Sequence, residues 1–124
     1  MSKADQPWKT DELQIMHFGA EDADTEALDL DWVPGREIQL LKVSLTTDLA
    51  VVASENFTIT FTSNRGAKFS YVIDTPQDMQ GLTEHVVDLS AALEYFEAGD
   101  SFNFAFANTD GNGWGLLVRY REKS

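Results

Sequence analysis

The sequence predicts an all-β chain, an antiparallel β-sandwich preceded by an acidic N-terminal arm. Three observations carry this expectation. Several segments alternate apolar and small polar residues with period 2, the mark of half-buried strands. Turn residues separate them at the spacing of a sandwich. Six phenylalanines (Phe57, Phe61, Phe69, Phe102, Phe104 and Phe106) lie in three alternating segments. Burial of each stabilises by about 1.5–3 kcal/mol, so two facing sheets are the natural way to use them.

The chain divides at Pro34-Gly35, a turn signal. Residues 1–34 read as an arm, with 1–12 mobile or ordered by a partner and 13–34 crossing the domain. Residues 35–124 read as the sandwich domain. Within the arm, Trp8, Ile15, Met16, Phe18, Leu28, Leu30 and Trp32 are the apolar anchors. A helix over 20–29 has good helix formers but no apolar stripe.

In the domain, REIQLLKVSLTT (36–47) changes register between Ile38/Leu40 and Leu41/Val43/Leu45. This predicts a long strand with a bend or bulge. NFTITFT (56–62) turns Phe57, Ile59 and Phe61 one way and three threonines the other. SNRG (63–66) is the expected hairpin turn, and KFSYVID returns with Phe69, Tyr71 and Ile73 inward. TPQDMQG (75–81) is expected as a polar connection. TEHVVDL (83–89) follows as a strand with His85, Val87 and Leu89 on one side. Ser90 to Phe96 is expected as one helical turn or an irregular edge. SFNFAFAN and WGLLVRYRE close the domain as two strands joined by NTDGNG. The expected total is six to eight strands, with sheet order open between jelly-roll and immunoglobulin-like topologies.

Composition narrows the function. The chain has 124 residues, no cysteine and a formal net charge of -12. That length suits one domain with a real core and no staples. Disulfides and thiolate metal sites are excluded, as in a reducing compartment or a virion assembled in one. Such charge repels polyanions, and Arg119, Arg121 and Lys123 make too small a basic group for a phosphate track, so nucleic acid is not an expected partner. No apolar run reaches about 18 residues, and the N-terminus lacks an apolar signal core, so neither a membrane span nor a secretory signal is expected.

The candidate sites divide into catalytic, metal, carbohydrate and docking groups. His17 and His85 lie in separate elements, and no phosphate loop, HExxH or nucleophile elbow occurs, so no enzyme activity is expected. Asn108, Asp110 and Asn112 alternate as in a calcium loop, but the twelfth position is Arg119, where a bidentate glutamate is required. A hairpin turn is the expected reading. Asp22 with Asp24, or Asp29 with Asp31, could cup a cation, yet no glycine-shaped loop encloses them, and no metal or cofactor is expected. Trp114 beside Asn108, Asp110 and Asn112 is the carbohydrate candidate, because flat rings stack on sugars. The competing reading starts a core row with Trp114, Leu116 and Val118. The acidic run Glu21 to Asp31 is expected as a solvated face or a patch that docks on a basic partner. Thr58, Thr60, Thr62, Asn103, Ala105 and Ala107 form a small, uncharged open face suited to a sister subunit or to the arm.

The C-terminal third carries Ala98-Gly99-Asp100, Ala107-Asn108-Thr109-Asp110 and Trp114-Gly115-Leu116 on alternating strands. This pattern resembles small structural proteins of tailed bacteriophages, over residues 36–121. The resemblance implies a jelly-roll-like sandwich that decorates or cements a capsid or forms the base of a head fibre. It implies a homo-oligomer in contact with the major capsid protein or another virion protein, assembled in the host cytoplasm. The resemblance covers no residue of the arm; separately from it, Trp8, Phe18, Asp22, Asp24, Leu28, Leu30 and Trp32 are the expected partner-binding residues of the arm. The alternative is the carbohydrate-binding sandwich of a fibre or receptor-binding protein.

Overall fold

The computed structural model describes residues 14–18 as backbone, and residues 25–90 and 95–122 in full. Nine strands are formed among them: β1 (Gln14–Phe18), β2 (Leu28–Trp32), β3 (Ile38–Thr47), β4 (Asn56–Thr62), β5 (Tyr71–Asp78), β6 (Glu84–Asp88), β7 (Tyr95–Phe96), β8 (Ser101–Phe106) and β9 (Trp114–Glu122). They make an all-β sandwich of two antiparallel sheets. One runs β1-β9-β3-β6, with the short β7 also on β3, and the other runs β2-β8-β4-β5.

The pairings are nested. The partners β4 and β5 are adjacent in sequence, and β3–β6, β2–β8 and β1–β9 enclose them in turn. Successive pairs fall in alternate sheets, so the chain winds as one long folded hairpin. The alternation read from the sequence explains the layers. Phe57, Ile59 and Phe61 of β4, Phe102, Phe104 and Phe106 of β8, and Trp114, Leu116 and Val118 of β9 all point inward. They meet Ile38, Leu40, Val43 and Leu45 of β3 in one core.

The register change expected in β3 is a bulge. Leu40 pairs with Tyr120 and Lys42 with Arg119, so Leu41 is the extra residue. That insertion lets Leu40 and Val43 both face the core.

The structure differs from the sequence reading at three places. Residues 14–18 and 28–32, expected as parts of an arm, each supply an edge strand to a sheet, β1 beside β9 and β2 beside β8. The alternation Leu28-Asp29-Leu30-Asp31-Trp32 drives this, with the apolar members inward and Leu28 buried. Leu28 and Asp29 are therefore strand where a helix had been considered. The four-residue hairpin turn is instead the longer connection 63–70, with a 3-10 turn at Ala67–Phe69. Phe69 and Tyr71 stay exposed, and of the expected inward trio only Ile73 is buried. Finally, Thr75 to Asp78 belong to β5 rather than to a connection. Between Phe57/Gln77 and Ile59/Ile73 the register slips, and Asp74, Thr75 and Pro76 bulge out with Asp74 at φ 59. An edge strand accepts proline at such a bulge because no ladder donor is lost.

Trp8, Asp22 and Asp24, residues 1–12, the expected helix over 20–24 and most of the expected turn at 90–96 lie outside the described residues; Tyr95–Phe96 is strand.

Candidate binding surfaces

The two ends of the sandwich are closed by different chemistry. At one end lies a run of rings. Trp32 stacks on Phe102 with centroids 5.4 Å apart, and Tyr120 lies 5.0 Å from Trp32. Phe102 also meets Phe61 at 5.7 Å and Phe96 at 4.9 Å, and Tyr71 extends the run from Phe61 at 5.1 Å. Burial within this cluster and the neighbouring Glu122 carboxylate hold the Tyr120 hydroxyl above its ordinary value of 10.0. A polar clip joins the chain next to Phe96 and Phe102. The buried carboxylate of Asp100 accepts from Asn64 N at 2.9 Å, Asn64 Nδ2 at 2.7 Å and Glu97 N at 2.7 Å. Arg65 adds a paired hydrogen bond to Glu97 at 2.6 and 2.7 Å. That bond is the main reason the Glu97 carboxyl lies below its ordinary value of 4.5.

The opposite end holds the loop singled out as a carbohydrate or calcium candidate. Here the Asn108 and Asn112 side chains turn inward, while Thr109 and Asp110 stay exposed. Asn108, at φ 52, donates through Nδ2 to the carbonyls of Thr25 and Glu26, each at 3.0 Å, and of Asn112 at 2.9 Å. Its Oδ1 accepts from Asn112 N at 3.1 Å, and Asn112 Nδ2 donates to Leu49 O at 3.2 Å. Asp110 Oδ2 accepts from Val52 N at 2.7 Å. The Glu55 carboxylate accepts from the Thr109 amide and hydroxyl. Trp114 is 8% exposed and donates its indole N–H to Glu26 O at 2.8 Å. The ring starts the core row with Leu116 and Val118, and its face is covered rather than presented to a sugar. Asn108 and Asn112 likewise spend their amides on tying loops 25–27, 48–55 and 108–113 together. Among the described residues no group of three or more histidine, aspartate or glutamate side chains is placed to hold a metal ion.

The outer sheet faces differ from the ends in carrying exposed acidic side chains, Asp29 and Asp31 on one and Asp88 on the other. On the β2-β8-β4 face, Asp29 and Asp31 are exposed and lie beside Ala105 and Asn103, which lie beside Thr58 and Thr60. Asn103 Nδ2 donates to Asp29 Oδ1 at 2.8 Å and to Asp31 Oδ1 at 2.9 Å. This fixes two carboxylates at strand spacing on the small-residue face that the sequence reading marked. Leu28, Leu30 and Trp32, expected to bind a partner, point the other way and pack on the core. For Phe18 only the strand backbone is described, paired with Leu116.

On the outer face of the other sheet, Lys42 lies directly opposite Arg119 on one side and Asp88 on the other. With Leu41 and Ser90 they line a recess of about 260 Å³. Hydrogen bonds from Ser90 hold the Asp88 carboxyl below its ordinary value of 3.8, with Lys42 a smaller cause. The Nε atoms of Arg119 and Arg121 are buried without a hydrogen-bond partner. A buried donor left in that state costs about 1–3 kcal/mol. Sequence reasoning dismissed these bases as too few for a phosphate track and missed that β9 and the β3 bulge gather them with Lys42 on one face. The signal was the i, i+2 spacing of Arg119 and Arg121.

Compared with known proteins, the chain matches no family model and no curated sequence.

Proposed function

We propose that this chain is a non-enzymatic virion structural protein that decorates or stabilises a phage capsid through protein–protein contacts, as a homo-oligomer. One observation carries the reading furthest. The nested pairs β4–β5, β3–β6, β2–β8 and β1–β9 fall alternately in two facing sheets. We read that winding as a jelly roll, an architecture shared by viral capsid proteins and lectins. Fold alone assigns no function. The reading therefore joins the winding to the resemblance over residues 36–121 and to the distribution of polar groups. At the ends the buried Asp100, Asn108 and Asn112 side chains are spent on internal hydrogen bonds, and on the faces Asp29, Asp31 and Asp88 stay exposed. Such a molecule is suited to docking by its faces in the particle, after assembly in the host cytoplasm.

The test is co-sedimentation of the full chain with capsid shells assembled without it. Saturable pelleting at a fixed ratio to the capsid subunit is the expected result. A chain that stays in the supernatant at every concentration overturns the proposal.

A further inference from the structure

We infer that two copies of this chain associate head to tail, the Asp29/Asp31 face of one docking on the Arg119/Arg121/Lys42 face of the next. The inference deepens the oligomeric part of the proposed function and rests on that part alone.

Among the described residues each face is electrostatically incomplete. Asp29 and Asp31 stand side by side on β2, and the Asn103 amide holds both in place. Lys42 and Arg119 are directly opposed across β3 and β9, an arrangement that is repulsive by itself. Asp88 compensates Lys42 from the far side, and Arg119 and Arg121 are half-buried, each with a buried Nε that has no hydrogen-bond partner among the described residues, so a partner can meet only the exposed remainder of each side chain. Arg121 makes one long contact, Nη1 to Gln39 Oε1 at 3.5 Å.

The two faces also match in spacing. Asp29 and Asp31 are two residues apart on one side of a strand, as are Arg119 and Arg121. Both pairs therefore repeat at about 6.6 Å, twice the strand rise. A guanidinium meets a carboxylate best through two parallel N–H donors, here the two Nη groups, since each Nε is buried. The small side chains of Ala105, Thr58 and Thr60 leave room for the long arginines to lie across them.

Within one copy the faces are on opposite sides of the sandwich, so the two can meet only between copies. Sheets pack about 10 Å apart, and the outer faces lie farther still. A face of four strands about 4.8 Å apart and about six residues long offers roughly 400 Å² in projection. Counted on both partners that is roughly 800 Å², below the roughly 1,200–2,000 Å² of stable complexes, so association is weak, transient and salt-sensitive. A contact of two different faces is heterologous, and it closes into a ring or continues as a chain of copies.

The test is sedimentation velocity of the full chain across concentration and salt. The expected result is reversible mass growth at high micromolar concentration in low salt, lost as salt rises. Asp29→Lys with Asp31→Lys, and separately Arg119→Glu with Arg121→Glu, should each remain monomeric. Mixing these two variants should restore association, because the unaltered arginine face of the first fits the unaltered aspartate face of the second. The isosteric Asp29→Asn with Asp31→Asn, which leaves side-chain size unchanged, should weaken association at least tenfold. Wild type that stays monomeric, or an asparagine variant that associates as wild type does, overturns the inference. Shell binding by a strictly monomeric chain would overturn this interface and leave the virion reading standing. Self-association without shell binding would do the reverse.

Discussion

The two ends of the sandwich solve the same closure problem with opposite materials. At the aromatic end, six rings from β2, β4, β5, β7, β8 and β9 touch in sequence from Tyr120 to Tyr71. At the polar end, Asn108 and Asn112 join three loops through backbone carbonyls and amides. Rings stabilise by removing apolar surface from water, an effect that tolerates small shifts. Amide networks stabilise little on balance but are costly to break, because each lost partner leaves a buried group unsatisfied. The aromatic end therefore supplies stability, and the polar end supplies loop geometry.

The comparison can be broken most forcefully at Phe102, which is 1% exposed and touches Trp32, Phe61 and Phe96. Phe102→Ala should cost about 3–5 kcal/mol in urea unfolding. Next comes Asn108→Ala, expected to cost about 1–3 kcal/mol for the carbonyls of Thr25, Glu26 and Asn112 that lose their donor. Asn108→Gly loses the same bonds but tolerates φ 52, so it should be milder than alanine. Equal losses would show that the backbone conformation carries no strain.

A smaller effect distinguishes the clip at the aromatic end. The Glu97 carboxyl is held below 4.5 chiefly by its hydrogen bond from Arg65, and the Asp78 carboxyl below 3.8 chiefly by that from the Ser54 hydroxyl. A depressed folded-state value means stability that is complete above the unfolded value and lost as pH falls through the folded one. Thermal stability should thus decline below about pH 4.5, and Glu97→Gln should flatten the upper part of that decline. An unchanged acid profile in this variant would remove Glu97 from the account. Both members of the Arg65–Glu97 pair are exposed, so at neutral pH the change should be small.

These differences also explain what could be read in advance. Strands whose alternation pairs large apolar with small polar residues were legible one by one: β4, β8 and β9 stand where the sequence placed them. The β3 bulge was legible because Leu41 shifts the apolar phase. Strand β2 carries the same alternation, but its polar members are aspartates, and the acidity of the run masked the period. Sheet order was not legible, since the nested pairs join residues as distant as Gln14 and Tyr120. Nor was the fate of the NTDGNG loop. Asn108 offers the same donors to a sugar or to a carbonyl, and only the approach of residues 25–26 decides between them. The cationic face required knowing that β3 lies beside β9, which puts Lys42 against Arg119.

The central proposal is that the ends hold the fold while the faces meet the proposed partners. Chemical labelling of carboxylates in the full chain, free and bound to capsid shells, tests it most directly. The account predicts that Asp29 and Asp31 become protected in the bound assembly while Asp48, Glu55 and Asp110 at the polar end label as before. Protection of Asp48, Glu55 and Asp110 with Asp29 and Asp31 unchanged would contradict it and move the docking surface to the loops.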